Sequence, residues 1–109
     1  MSKPAKTIAK RRVRGSRTGR PIMVLLDLLG RRWALRILWE LRGSALTSRA
    51  LRAACDEASP TVLNERLKEL READFIELGA AGYALTALGR ELSEKCMPLY
   101  HFAEKWSGR

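Results

Sequence analysis

Apolar residues recur at three- and four-residue spacing from Pro21 onward, which is the spacing of one buried helix face. The first such stretch runs from Pro21 to Gly30 and the second from Trp33 to Gly43, and each is ended by a glycine. We therefore expect two short helices. Their inward stripes are predicted to be Ile22, Leu25, Leu26 and Leu29 in the first, and Trp33, Ala34, Ile37, Leu38 and Leu41 in the second.

Capping residues predict two further helices. Thr47 or Ser48 can accept a hydrogen bond from the open amides of a third helix that runs to about Cys55. Ser59 and Pro60 predict the start of a fourth, because a capping hydroxyl precedes a residue whose fixed φ suits the first helical position. The fourth helix has an apolar face of Leu63, Leu67 and Leu70 and a polar face of Thr61, Asn64, Glu65 and Lys68.

The pattern then changes to two short β-prone runs, residues 75–78 and 83–86. The intervening GAAG predicts a hairpin with a four-residue tip. Thr86 is expected to cap a last helix, inside which Pro98 should cause a kink or a break because its ring removes an amide donor. The stripe of this helix is Leu88, Leu92, Cys96, Leu99, Ala103 and Trp106.

The order of these elements predicts a mainly α fold with a small antiparallel β-hairpin, the winged helix-turn-helix, followed by a long C-terminal helix. In such a unit the second helix of the turn enters the major groove of DNA. Here that helix spans about residues 59–73. The candidate DNA contacts on it and beside it are Arg49, Ser59, Pro60, Thr61, Asn64, Glu65, Arg66 and Lys68.

Glu65 is the discordant member of this set, because an acid in the groove repels phosphate. Either it reads a cytosine amino group or it pairs with Lys68 or Arg49. Both interpretations stay open at this point.

Charge is concentrated at the N-terminus. The net charge is +9, and residues 1–20 contain eight of the 21 basic residues and none of the 12 acids. We predict a basic, flexible arm over residues 1–20 and a winged helix-turn-helix domain over 21–109. A solvated tail with no binding role is the alternative interpretation. The arm cations expected to contact nucleic acid are Lys10, Arg11, Arg12, Arg14, Arg17 and Arg20.

Composition favours a globular domain in the cytoplasm. Apolar residues make up 46% of the chain and charged residues 30%, and the longest apolar runs fall far short of the roughly 20 residues that cross a bilayer. No signal peptide is recognised. Cys55, Cys96 and His101 lack paired metal-ligand spacing, and no catalytic motif is present, so we expect neither a metal, nor a cofactor, nor enzymatic activity.

Three segments carry a family resemblance: residues 26–33 (LDLLGRRW), 59–70 (SPTVLNERLKEL) and 83–89 (YALTALG). Together they resemble the HxlR-type regulators, relatives of the MarR group, over about residues 20–106. The resemblance implies a homodimer that recognises a pseudo-palindromic operator in double-stranded DNA, with the first and last helices forming the dimer seam. The candidate dimer residues are Ile22, Leu25, Leu92, Leu99, Phe102 and Trp106.

The chain departs from this family pattern in two places. Members of the family often carry a cysteine just before the Pro-Ile pair, and in some members the thiol of this cysteine senses oxidants. Arg20 stands at that position in this chain, which excludes redox sensing there. The wing is also short and offers no cation. We expect the basic arm to replace part of the lost electrostatic contact.

Other functions stay open. Winged helices also dock proteins, so a protein-interaction module is one alternative, and RNA binding through the arm is another. An unidentified small-molecule effector would lodge near Trp33, Trp39 or Phe102, between the dimerising and DNA-binding helices.

Overall fold

The computed structural model describes residues 19–108, which contain five helices and one two-stranded sheet. This order confirms the predicted winged helix-turn-helix. The predictions for Lys10, Arg11, Arg12, Arg14 and Arg17 lie outside the described residues. The elements are α1 (Pro21–Leu29), α2 (Ala34–Glu40), α3 (Ser48–Ala54), α4 (Pro60–Glu72), β1 (Ile76–Gly79), β2 (Gly82–Leu85) and α5 (Ala87–Ser107).

Side-chain caps fix two of the helix starts. The Thr47 hydroxyl accepts a hydrogen bond from the Ala50 amide at 3.1 Å, and the Thr86 hydroxyl accepts one from the Gly89 amide at 2.9 Å. Both predicted threonine caps are therefore confirmed. The predicted start of α4 is confirmed in position, with Ser59 at the N-cap and Pro60 at the first helical position, but the Ser59 hydroxyl makes no capping hydrogen bond, so its predicted capping role is wrong.

The core lies between α2, α3 and α4. Leu63, Leu67 and Leu70 of α4 are fully buried, as the spacing predicted, and they pack with the side chains of α2 and with Leu51 and Cys55. Each fully buried leucine contributes about 1.5–3 kcal/mol relative to an exposed one. The core therefore fixes the face that α4 turns away from solvent.

The predicted inward stripe of α1 is partly wrong. Ile22 and Leu26 are about half exposed, whereas Val24 and Leu28 are buried. The helix is apolar on nearly every side, so residues 24 and 28 have the same four-residue spacing as 22 and 26. Periodicity alone could not choose between these two stripes.

The hairpin is tighter than predicted. Gly79 pairs with Gly82, and Leu78 pairs with Tyr83, so only two alanines form the tip instead of four residues. Leu46 also pairs with Tyr83 through hydrogen bonds of 2.9 and 2.8 Å. Gly82 has a φ of +114°, and a Cβ there would lie only 2.8 Å from the Thr47 amide nitrogen, so this close approach requires glycine.

The C-terminal helix continues through Pro98. The structure has one helix from Ala87 to Ser107, so the prediction that this proline divides it is wrong. Proline removes a single amide donor, and the 21-residue helix retains its other hydrogen bonds. Within residues 19–108, no helix is both long and apolar enough to span a bilayer.

Candidate nucleic-acid interface

Helix α4 presents a polar face to solvent because its leucines are fixed in the core. Thr61, Asn64 and Lys68 are all exposed. They follow one another at three- and four-residue spacing and therefore share one side of the helix. Arg49, near the start of α3, is exposed as well. The structure thus brings the predicted contacts together around α3 and α4.

The turn between α3 and α4 has an unusual backbone. Asp56 and Glu57 both have a φ of +55°, the left-handed conformation that non-glycine residues seldom adopt. Two arginines hold the turn. Arg52 donates from Nε to the Ala58 carbonyl at 3.0 Å, and Arg36 of α2 donates from Nη2 to the Ala54 carbonyl at 2.6 Å.

These two arginines were missed by sequence reasoning. Arg36 also pairs with Glu40 at 2.8 Å, and this i,i+4 spacing is the only signal that the sequence offered. The contact of Arg36 with the end of α3 joins residues 18 positions apart, which no local pattern predicts. Arg36 and Arg52 therefore support the site without belonging to its exposed face.

Arg66 does not lie where it was predicted. Its side chain is only 14% exposed, and Nη1 pairs with Glu69 at 3.0 Å. With so little exposure and two carboxylate partners, Arg66 is not a free cation on the polar face. Its position follows from its place beside Leu67 and Leu63 on the inward half of the helix.

Glu65 has a different partner from those predicted. Its Oε1 lies 3.4 Å from Nη2 of Arg66, while neither Lys68 nor Arg49 forms an ion pair with any residue in the described range 19–108. Lys68 and Arg49 are therefore available to phosphates, and so is Arg71, which is exposed on the same side of α4. Glu65 itself remains 64% exposed on the same surface.

The start of α4 is open to solvent. Ser59 and Pro60 are exposed, and the Ser59 hydroxyl does not cap the helix. The first amides of a helix lack intrahelical partners and carry the positive end of the helix dipole. This end of α4 is therefore suited to an anionic oxygen, such as that of a phosphate.

The wing offers little positive charge. Between Ile76 and Leu85 the sequence contains one acid, Glu77, and no base. Leu78 is about half exposed on β1. A wing of this composition has no cation with which to contact phosphate or the minor groove, in agreement with the departure noted from the sequence.

A family model described as HxlR-like helix-turn-helix matches residues 28–109. The chain belongs to this family. Among solved structures it is similar to the quinone-bound YodB from B. subtilis, with a TM-score of 0.72 and 26% identity over 77% of this chain and 96% of that one. No curated protein sequence matches significantly.

The HxlR-like chain carries a second exposed surface, which is apolar. Leu99, Phe102 and Trp106 of α5 are each more than half exposed, as is Ile22 of α1. Two other predicted dimer residues, Leu25 and Leu92, are half-buried against the core instead. Their apolar area is therefore partly used within the protomer, and the exposed surface consists mainly of the α5 residues.

An open apolar groove of about 380 Å³ lies where α2 meets the end of α5. Of the three aromatic residues predicted to surround an effector, only Trp39 lines it; Trp33 and Phe102 do not. Trp39 forms an edge-to-face contact with Tyr100, their centroids 4.7 Å apart. The other lining residues are Ala103, Glu104, Trp106 and Ser107.

Both cysteines behave as apolar residues. Cys55 is fully buried and Cys96 is half-buried, and burial raises the pKa of each thiol above its ordinary value of 9.0. Arg36 opposes that shift at Cys55 without cancelling it. Neither thiol has the lowered pKa of a reactive cysteine.

Proposed function

We propose that this protein is a DNA-binding transcription regulator that reads a pseudo-palindromic operator as a homodimer. The observation that carries the proposal is the polar face of α4, with Thr61, Asn64 and Lys68 exposed beside a buried leucine stripe. Membership of the HxlR-like helix-turn-helix family supports the same conclusion. A helix placed in this way fits the major groove.

Each exposed residue has a DNA partner suited to its chemistry. Asn64 can form two hydrogen bonds with adenine, Thr61 can contact a thymine methyl or a phosphate, and Lys68 can bind guanine or phosphate. Arg49 and the open start of α4 at Ser59 would then hold the flanking phosphates. Phosphate contacts fix the position of the helix, and base contacts choose the sequence.

The exposed apolar surface of α5 supports the homodimer. Soluble proteins rarely leave several large apolar side chains exposed side by side. Pairing Leu99, Phe102 and Trp106 with the same residues of a second protomer would bury them, as an isologous interface requires. Phe102→Glu is expected to convert the dimer to a monomer in analytical ultracentrifugation. The matched control Glu94→Gln, at an exposed position of the same helix, should remain dimeric.

The arm cations complete the proposal. Residues 2–19 contain seven basic residues and no acid, so their deletion should lower affinity for every duplex and flatten the dependence of log K on log salt. An unchanged affinity and slope would remove the arm from the DNA interface. Arg20 would remain in the deleted protein, next to α1.

We also propose a planar aromatic effector, because the solved relative is quinone-bound and this chain has an aromatic groove at Trp39 and Tyr100. A ligand that binds the folded state raises the melting temperature. A benzoquinone should therefore stabilise the wild type and not the Trp39→Leu variant. Equal stabilisation of both proteins would exclude the groove.

The test of DNA reading uses a duplex selected by the protein from a random pool, compared with random duplex at about 50 and about 200 mM salt. Asn64→Ala combined with Lys68→Ala should weaken the selected complex about 10- to 100-fold and leave random-duplex binding largely intact. The control combines Glu94→Ala with His101→Ala, two exposed residues of α5 seven positions apart and off the face of Leu99, Phe102 and Trp106.

The outcomes separate the competing functions. Enrichment of a sequence that depends on Asn64 and Lys68 supports the regulator. Equal binding of all duplexes would instead favour a protein-docking module with a basic arm. Preferential binding of structured RNA over duplex DNA in competition would favour the RNA alternative.

A further inference from the structure

Five charged side chains form a continuous ion-pair network from α1 to the exposed face of α4. Asp27 pairs with Arg31 at 2.9 Å, and Arg31 pairs with Glu69 at 2.9 Å. Glu69 pairs with Arg66 at 3.0 Å, and Arg66 reaches Glu65 at 3.4 Å. Acid and base alternate at every step. The ion-pair network therefore links the turn after α1 with an acid on the face that we assign to DNA.

Glu69 lies at the centre of this ion-pair network. Its Oε2 forms an ion pair with Arg31 and its Oε1 accepts a hydrogen bond from Arg66, so both oxygens of the carboxylate are occupied. A carboxylate bound by two arginines has little rotational freedom. Glu69 in turn holds Arg66, whose side chain is the least exposed of the five at 14%. Glu69 therefore sets the orientation of the Arg66 guanidinium.

Glu65 lies at the exposed end of the ion-pair network. Its contact with Arg66 is long and uses Oε1, and the structure gives Oε2 no partner within residues 19–108. Three acids and two bases leave the ion-pair network with one unit of negative charge. Asp27 and Glu65, at its two ends, each have one arginine partner, and Glu65 is far the more exposed, at 64% against 18%. Glu65 is therefore the acid of the network that a ligand can reach.

We propose that Glu65 is a specificity-determining residue that accepts a hydrogen bond from the exocyclic amino group of a cytosine, and that Glu69 is its positioning residue through Arg66. A carboxylate in the major groove is repelled by phosphate and meets two kinds of donor there, the amino groups at adenine N6 and cytosine N4. The N7 acceptor beside the adenine amino group repels a carboxylate, so cytosine is the matching base. Of the two earlier interpretations of Glu65, the proposal keeps base reading; the pairing with Lys68 or Arg49 is replaced by the contact of one oxygen with Arg66.

This inference rests on the proposed DNA-reading function, and the experiment separates the two. Base preferences of the wild type and of three single variants are measured by selection from a random duplex pool, followed by competition with single-base-pair variants of the selected site. Melting temperatures are recorded for all four proteins. The variants are Glu65→Gln, Glu69→Gln and the matched control Glu72→Gln, which removes an exposed acid two turns along the same face.

The wild type should prefer cytosine at one position of each half-site by about 10-fold, and Glu65→Gln should reduce that preference to less than about 2-fold. Glu69→Gln should weaken the preference at the same position, while Glu72→Gln leaves it unchanged. Unchanged preferences in Glu65→Gln would overturn the specificity role. A uniform loss of binding in Glu69→Gln would overturn the positioning role. Absence of any sequence preference in the wild type would refute the proposed function itself.

Discussion

Replacement of Gly89 by alanine tests the packing of α5 on the rest of the domain. Gly89 is buried in the first turn of α5, against the backbone of Phe75. A Cβ on Gly89 would lie 2.8 Å from the Phe75 carbonyl carbon and closer still to its oxygen. That oxygen already accepts a hydrogen bond from the Thr86 amide at 3.1 Å. Backbone, unlike the end of a side chain, cannot move aside independently.

The expected change in the free energy of unfolding is opposite in sign to the change that helix propensity alone predicts. Propensity favours alanine over glycine within a helix by about 1 kcal/mol. Against this, overpacking costs about 1–3 kcal/mol, and separating α5 from Phe75 weakens the hydrogen bonds that Thr86 makes to Phe75 and Asp74, each worth about 1 kcal/mol. The net loss in the free energy of unfolding is therefore about 2 kcal/mol. For a domain of this size, the melting temperature should fall by about 8–16 °C.

Urea unfolding followed by circular dichroism measures this loss, with all proteins at one concentration because a dimer makes the midpoint concentration-dependent. Gly43→Ala is the matched control. A Cβ at Gly43 meets nothing within 4 Å, so its free energy of unfolding should change by less than about 1 kcal/mol. If Gly89→Ala is as stable as the wild type, the close packing of α5 on Phe75 is refuted.

Three further perturbations address the ion-pair network, a helix cap and the thiols. Glu69→Leu should lower the free energy of unfolding by about 2 kcal/mol, because the poorly solvated Arg66 then keeps only its long contact with Glu65. Arg66→Met should cost less than about 1 kcal/mol because Glu69 keeps Arg31; the reverse ranking in urea unfolding would contradict this. Thr47→Ala should cost about 1 kcal/mol through loss of the α3 cap, and unchanged stability would contradict that role. Burial raises the pKa of Cys55 and Cys96, so their stabilising contribution is present below the ordinary value of 9.0 and is lost as pH rises above it. Iodoacetamide should accordingly modify Cys96 slowly at neutral pH and Cys55 only on unfolding, and rapid labelling of native Cys55 would be inconsistent with its burial.

Local patterns predicted those parts of the fold that local physics determines. The leucine stripe of α4 and the threonine caps of α3 and α5 depend on spacing and on one side chain, and each was found where the sequence indicated. The orientation of α1 depends instead on its neighbours, because its apolar residues surround the helix. Gly79 and Gly82 were taken as the ends of a loop, but they pair as the last residues of the two strands.

The exposed contacts of the candidate site were easier to predict than its supporting contacts. Asn64 and Lys68 follow from the polar face of a single helix, which periodicity reveals. The Arg31–Glu69 pair joins residues from different parts of the chain, and Arg66 was misplaced because its charge suggested a surface role. Its stem lies among leucines while its guanidinium is paired, as a long cationic side chain allows.

The distribution of charge implies a division between affinity and sequence preference. Across the α3–α4 surface, Arg49, Lys68 and Arg71 are exposed cations, and Glu65 offsets one of them. Residues 21–109 carry 13 bases and 12 acids, so the domain is nearly neutral, whereas residues 1–20 carry eight bases. Phosphate neutralisation dominates affinity, and base contacts determine sequence preference. We therefore expect the proposed arm to control affinity and its salt dependence, and α4 to control base preference. Loss of the arm should change the salt slope at constant base preference, and a change at Glu65 should alter base preference with little effect on that slope.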